Sequence, residues 1–340
     1  MTAAGGPEAR TRRICEAGGV SVARSPGRVG VDAVSPRLAA SYAHCHALTR
    51  RAAQSFYRGM TLTPEPKRSG LFAVYAWMRA ADDAADGDGE RTGGADRLAA
   101  FRERTAAVLD GPAPADGDDA FWPAFAEAVR RYAVPRAALD AQLAGQAADL
   151  APRDVRDEAA LRRYCDRVAS SVGFCCVAVW GHDDDAGVPD LVRARGRALQ
   201  RTNILRDVAE DAARGRTYVP ADARARHGLG GDRWAAVISG RPSTGAGENA
   251  PAAFGRLMAE QIAAARADYA ASAKLERHLH PDGRAASWTL ARSYRCLLER
   301  IARDPAAVIR GRVRLPPTAK MRVAAAGLLR YRRRHREAAW

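Results

Sequence analysis

The chain has 340 residues, 47% of them hydrophobic, and carries 54 Lys and Arg against 39 Asp and Glu, a net charge of +15. That length allows one large helical domain or two small ones, and the apolar share is enough for a sizeable core. The longest apolar run, Val168 to Trp180, is too short and too rich in small residues to span a bilayer, which excludes an integral membrane protein and leaves a soluble or peripheral one.

Ala, Arg and Leu dominate and strand-like alternation is scarce, so the composition predicts an all-α fold. The basic excess points to anionic partners: nucleic acid, an anionic membrane surface or phosphorylated substrates. It does not choose among them, and a coding bias towards Arg and Ala is a plain alternative. The six cysteines, Cys15, Cys45, Cys165, Cys175, Cys176 and Cys296, show no CxxC or zinc spacing and read as small core residues of a protein in a reducing cytoplasm. The N-terminus lacks the apolar segment of a signal peptide.

In chain order, residues 1–36 read as a disordered basic tail rich in Gly, Arg and Ala. Ser35-Pro36 starts a first helix that runs to about Arg58 and contains Ser55-Phe56-Tyr57. Thr63-Pro-Glu-Pro66 opens a second helix. Within it Tyr75, Arg79, Asp82 and Asp86 fall at i, i+4, i+7 and i+11 and share one stripe, with Phe72, Val74, Trp77 and Met78 as apolar flanks. Loops are expected at 87–96 and in the Gly-Pro-Ala-Pro segment after Leu109, and helices at 120–133 and 135–150, broken at Pro135. A long apolar helix is expected over 158–181, with a small-residue face of Ala169, Val172, Gly173 and Cys176. That face suits either a closely packed neighbour or an apolar ligand.

After a loop at 182–189 comes LQRTNILRDVAEDAARGRTYVP, residues 199–220. Read as one helix, it places Gln200, Asn203, Asp207 and Asp211 on one face, with Ile204, Leu205 and Val208 behind. A surface loop at 240–252 and helices at about 253–278 and 283–303 follow. A terminal helix starts near Thr318 and ends in the basic run Arg330 to Arg336.

A helix face of carboxylates and amides suits a hard cation. Magnesium takes oxygen ligands, keeps some of its waters and is commonly shared with substrate phosphates. One such stripe is as well explained by a solvated acidic face. Two of them, if they meet across a cavity, can hold Mg²⁺ around a diphosphate and assist its departure.

The segments Tyr75-Ala-Trp-Met-Arg79-Ala-Ala-Asp82-Asp83-Ala-Ala-Asp86 and Gln200-Arg-Thr-Asn203-Ile-Leu-Arg206-Asp207-Val-Ala-Glu-Asp211, the latter followed by Gly215-Arg216-Thr-Tyr218-Val-Pro220, resemble the two aspartate-rich motifs of the squalene/phytoene synthase family. The resemblance runs from about Ser41 to Leu329. It implies a single-domain helical bundle of the isoprenoid-synthase type around a central cavity, with the catalytic domain at 37–329 and a basic tail at 330–340. It also implies Mg²⁺-dependent joining of two prenyl diphosphates, farnesyl or geranylgeranyl, head to head (1′–1) through a cyclopropylcarbinyl diphosphate. Asp82, Asp86, Asn203, Asp207 and Asp211 then stand as metal ligands. Ser55, Tyr75, Arg79, Gln200, Arg206, Arg216 and Arg312 stand as diphosphate or substrate contacts, and Tyr294 and Arg79 as catalytic residues. Gly145-Gln146-Ala-Ala-Asp149-Leu150 is similar to a cavity-lining element of the family. Ala52 and Ala53 depart from it, standing where members often carry His or a hydroxyl residue.

Phytoene, squalene, dehydrosqualene and presqualene diphosphate all remain open as products, as does NADPH as a reductant, and the oligomeric state is not legible. A head-to-tail prenyl synthase or a terpene cyclase of the same fold is the alternative, although those families usually carry DDxxD twice or an Asn-Ser-Glu second motif. A basic nucleic-acid-binding protein is the reading from a different class, and no recognition motif supports it. The expected location is the cytoplasm, with peripheral contact at the inner membrane surface.

Overall fold

The computed structural model describes residues 35–52, 54–86, 93–111, 120–151, 153–241 and 249–337, with side chains placed for all of these except 54–56, 86 and 333–337. The first half comprises α1 (Pro36–Ala52), α2 (Gln54–Met60), α3 (Lys67–Asp86), α4 (Gly94–Asp110), α5 (Trp122–Tyr132) and α6 (Arg136–Ala148). Then come α7 (Glu158–Cys165), α8 (Ser171–Trp180), α9 (Val188–Arg206), α10 (Val208–Ala213), α11 (Ala221–Arg226) and α12 (Asp232–Ile238). The chain closes with α13 (Ala250–Ala271), α14 (Leu275–His278), α15 (Pro281–Arg303), α16 (Ala307–Arg310) and α17 (Pro317–Glu337). Among the described residues the only sheet is a parallel pair of two-residue strands, β1 (Arg153–Asp154) and β2 (Arg216–Thr217). The fold is all-α, as the composition predicts. Of the expected tail at 1–36, residues 1–34 lie outside the described residues, as does most of the expected loop at 87–96, and Pro36 already belongs to α1.

Two apolar clusters support the bundle. In the first, α3 is buried nearly all round, through Leu71, Phe72, Val74, Trp77, Met78 and Ala81. Trp77 stacks on Phe125 at 5.3 Å between ring centroids, and its indole N–H donates to Thr105 Oγ1 at 3.0 Å, so this fully buried tryptophan is also polar-satisfied. The second cluster joins α9 to α13 and α15 through Leu205, Phe254, Leu257, Met258, Leu298 and Ile301. Buried ion pairs add to it. Arg201 is 2% exposed, donates through Nε to Asp268 at 2.9 Å and also bonds Glu158, which ties α9 to α13 and α7.

Three expected helices are divided, that at about 253–278 by a turn at 272–274 between α13 and α14. The span 158–181 forms α7 and α8 with a π-helical turn, Asp166–Ser170, between them. Side-chain hydroxyls take over carbonyls there: Ser171 Oγ donates to Arg167 O at 2.6 Å and Ser170 Oγ to Arg193 O at 3.1 Å. Helix α9 presses on this turn at Gly196, where a Cβ would stand 2.5 Å from the backbone of Ser170.

The helix expected to run through 199–220 breaks at Asp207, whose φ and ψ are −102° and 13°. Adjacent residues point about 100° apart on a regular helix, yet Arg206 Nε reaches Asp207 Oδ1 at 2.7 Å, a contact the break makes available. Backbone bonds from Asp207 N to Asn203 O (2.9 Å) and from Asp211 N to Asp207 O (2.8 Å) carry the register across the break, so these residues stay on one side.

Candidate active site

A cavity of about 400 Å³ lies between the two clusters, lined by members of both. Its wall is largely apolar: Leu71, Val74 and Met78 from α3, Val172, Gly173 and Cys176 from α8, Val192 and Leu199 from α9, and Leu290 from α15. The small-residue face expected at Ala169, Val172, Gly173 and Cys176 opens onto it in full, with Ala169 supplied by the π turn. Gly173 also serves close packing, since a Cβ there would stand 3.0 Å from Val192 Cγ1.

The polar end gathers residues from four helices. Tyr75, Arg79 and Asp82 come from α3, Gln142 and Gln146 from α6, Gln200 and Asn203 from α9, and Tyr294 from α15. Asp82 of the first expected stripe and Gln200 and Asn203 of the second therefore line one cavity. Gln146 Nε2 donates to Asp82 Oδ1 at 2.5 Å. That leaves Gln146 Oε1 buried without a hydrogen-bond partner among the described residues, and Asn203 Oδ1 is in the same state. Two orphan acceptor oxygens at one cavity mouth call for a donor or a cation.

Asp207, Asp211, Arg206, Arg216 and Arg312 extend this end beyond the cavity lining. Arg206 and Arg312 both hold Asp207, the latter through Nε at 3.1 Å from Oδ1, and Arg312 also reaches Glu210 at 3.8 Å. Burial pushes the Tyr294 hydroxyl above its ordinary pKa, while Arg206 and Asn203 beside it pull the other way. Burial together with the neighbouring Asp207 carboxylate pushes Asp211 up to about 7, against the pull of Arg214 and Arg216. Arg216 Nη2 donates to Asp149 O at 2.8 Å. Arg79 instead pairs with Asp83 one turn away on the exposed side of α3. The side chains of Ser55 and Asp86 lie outside the described residues.

The sequence reading did not propose Gln142, and it gave Gln146 and Asp149 only as part of an element similar to a cavity-lining one of the family. They stand at i, i+4 and i+7 on α6 and its end, one stripe facing the cavity, and that spacing was available in the sequence. Asp149 accepts from Tyr164 at 2.8 Å and Tyr218 at 3.0 Å, and burial raises its pKa while these hydroxyls lower it.

The donor set at this end is oxygen-rich: Asp82, Gln146 Oε1, Asn203 Oδ1, Asp207 and Asp211. Cys176 in the wall is pushed up to about 12 by burial and stays a thiol. Oxygen donors with no thiolate fit a hard divalent cation. Among the described residues no three His, Cys, Asp or Glu side chains converge closely enough to enclose an ion by themselves.

The family model for squalene/phytoene synthase matches residues 49–319. The phytoene synthase of Arthrospira platensis is 32% identical over 293 residues, covering 83% of this chain and 90% of that protein. The presqualene diphosphate synthase of Rhodopseudomonas palustris is 38% identical over 177 residues, 52% of this chain, and that match spans 61% of the relative's length. Among solved structures, a dehydrosqualene synthase in complex with a ligand superposes with a TM-score of 0.72 at 23% identity, covering 85% of this chain and 96% of that one. A squalene synthase from Alicyclobacillus acidocaldarius gives a TM-score of 0.69 at 23% identity, covering 79% and 95%. These two share the helical fold. With a family match across most of its length and a relative aligned along nine-tenths of its own, the chain belongs to the squalene/phytoene synthase family of prenyltransferases.

Proposed function

We propose that the protein joins two prenyl diphosphates head to head (1′–1) through a cyclopropylcarbinyl diphosphate. The observation that carries this is one cavity with a largely apolar wall, lined by both Asp82 from α3 and Asn203 from α9. Two relatives whose names are phytoene synthase and presqualene diphosphate synthase support it.

Asp82, Asn203, Asp207 and Asp211, with Gln146 beside them, would hold Mg²⁺, which when bound stabilises negative charge on a departing diphosphate. Arg206, Arg216 and Arg312 border the same end and can give charge-assisted hydrogen bonds to phosphate oxygens. Arg79 can do so by turning from Asp83. Tyr75 and Gln200 place further polar groups at this mouth. The walls of Leu71, Val74, Val172 and Leu199 keep water from a carbocation and receive prenyl tails. Tyr294, beside Arg206 and Asn203, lines the cavity and can orient the reacting carbons. Farnesyl or geranylgeranyl substrates, the final product and any use of NADPH belong to the finer part of this proposal.

The test is substrate requirement. Purified protein with Mg²⁺ should release pyrophosphate from an allylic prenyl diphosphate supplied alone. A strict requirement for added isopentenyl diphosphate would instead assign head-to-tail elongation.

A further inference from the structure

We infer that the outer face of α17 docks on an anionic lipid bilayer. The inner face of this helix is committed to the protein. Val323, Ala326 and Gly327 pack towards α15, and Gly327 sits so close that a Cβ there would stand 2.2 Å from Thr289 Oγ1. The Arg330 guanidinium lies over the Trp288 ring at 3.7 Å.

The opposite side has no such partner in the bundle. Met321 is 63% exposed, Leu328 39% and Leu329 58%; among the described residues the only other large exposed hydrophobic is Leu150. Met321, Ala325, Leu328 and Leu329 fall at i, i+4, i+7 and i+8, so they form one continuous apolar stripe. Lys320 and Arg322 project to either side of it, and exposed Arg332 extends its C-terminal end. From Pro305 to Arg336 the sequence holds ten Lys and Arg and no Asp or Glu.

An apolar stripe between basic rims is the pattern of a helix lying in the plane of a membrane interface, its side chains entering the acyl boundary and its cations meeting anionic headgroups. No helix of the described residues is long and apolar enough to cross a membrane, so the contact is one of lying on the surface. Nucleic acid would match the cations and leave the Met and Leu side chains in water. A second copy of the chain would cover the apolar stripe and set like-charged rims against each other. A bilayer answers both the charge and the apolar stripe.

The position of the helix adds a second observation. A cleft of about 790 Å³ runs between α15 and α17, lined among others by Trp288, Arg295, Leu315, Arg322 and Val323, and it shares Arg195 and Ala291 with the reaction cavity. Docking through α17 brings this cleft to the bilayer. The inference rests on this face alone and stands whatever reaction the cavity performs.

Sedimentation of the full chain, without substrate, with vesicles of phosphatidylcholine or of phosphatidylcholine mixed with phosphatidylglycerol tests it. Binding is expected only to the mixed vesicles and should fall as salt is raised. The triple variant Lys320→Gln, Arg322→Gln, Arg332→Gln should weaken binding about a hundredfold, at about fivefold per basic residue. Met321→Ser, Leu328→Ser, Leu329→Ser should weaken it as well, with circular dichroism and melting temperature unchanged for both variants. Failure to sediment with the mixed vesicles would overturn the inference, and so would undiminished binding by either variant. It would equally be overturned by a dimer in light scattering that the serine variant converts to monomer, or by DNA binding that the glutamine variant loses and the serine variant keeps.

Discussion

Arg312 Nε stands 3.1 Å from Asp207 Oδ1, so a residue beyond the end of α15 and α16 closes on the break in the second aspartate-rich segment. Asp207 is also gripped by Arg206, through Nε on the same Oδ1 at 2.7 Å and Nη2 on Oδ2. Two guanidinium groups around one carboxylate make a cluster that can pass its positive charge to a phosphate.

Arg312→Ala should therefore leave stability nearly intact, because the Arg312 side chain is 46% exposed and such pairs contribute about 0–1 kcal/mol. Turnover should fall much further. Losing a hydrogen bond to a charged group costs about 1.5–3 kcal/mol, roughly tenfold to a hundredfold in rate. If Arg312 and Tyr294 act mainly on the second ionisation, Arg312→Ala and Tyr294→Phe should accumulate a cyclopropyl diphosphate, whereas Arg79→Ala should lose all product. Product chromatography beside a thermal melt checks this, and equal loss of the first step in all three variants would contradict it.

Asp82→Asn and Asp211→Asn should each abolish turnover while helical circular dichroism persists, since both carboxylates belong to the set proposed to hold Mg²⁺. Removal of divalent ions with EDTA should do the same and added Mg²⁺ should restore activity. Turnover that survives EDTA would contradict the assignment.

Asp211 also predicts a pH effect on the metal-free protein. Its folded pKa, about 7, is raised above its ordinary value of 3.8, so the buried charge opposes folding at pH above about 7. That penalty is relieved as pH falls from about 7 towards 4. Discounted for partial exposure, it is on the order of 1 kcal/mol. Asp211→Asn should raise the melting temperature of the metal-free protein by about 1–3 °C at neutral pH, and by less near pH 4. A lower melting temperature for the variant at neutral pH would show that Asp211 is stabilised by its arginines instead.

Cys176 faces the apolar part of the cavity. Cys176→Phe should fill this space and discriminate against the longer of two prenyl chains by tenfold or more in kcat/KM, since the fit of a single methylene is worth about 1–3 kcal/mol. Competition between C15 and C20 diphosphates measures the ratio, and an unchanged ratio would place the tails elsewhere.

The parts legible in the sequence were those set by local periodicity. Asp82 with Tyr75 and Arg79, and Asn203 with Gln200, share faces because helical spacing dictates it, and the small residues 169, 172, 173 and 176 marked a face that opens onto the cavity. The parts not legible depend on contacts distant in sequence. The bond from Gln146 to Asp82 joins α6 to α3, and the hydroxyls of Tyr164 and Tyr218 converge on Asp149 only after the chain has folded. The break at Asp207 and the π turn at Asp166–Ser170 arise from side chains competing for backbone and carboxylate partners, which hydrophobic periodicity does not record. Arg195 is not singled out by any motif in the sequence. In the fold it is buried, bonded to Glu276 at 2.6 Å and to Ser272, and forms part of the cavity wall.

The most direct measurement is the structure of the lipid product. Purified protein is incubated with isotopically labelled C15 or C20 diphosphate and Mg²⁺, with and without NADPH, and the extracted lipid is analysed by mass spectrometry and NMR. The account predicts a product of two prenyl units linked through their C1 carbons, either as a cyclopropylcarbinyl diphosphate or as the 1′–1 hydrocarbon derived from it. A product containing a single cyclised prenyl unit, or one elongated head to tail, would contradict it.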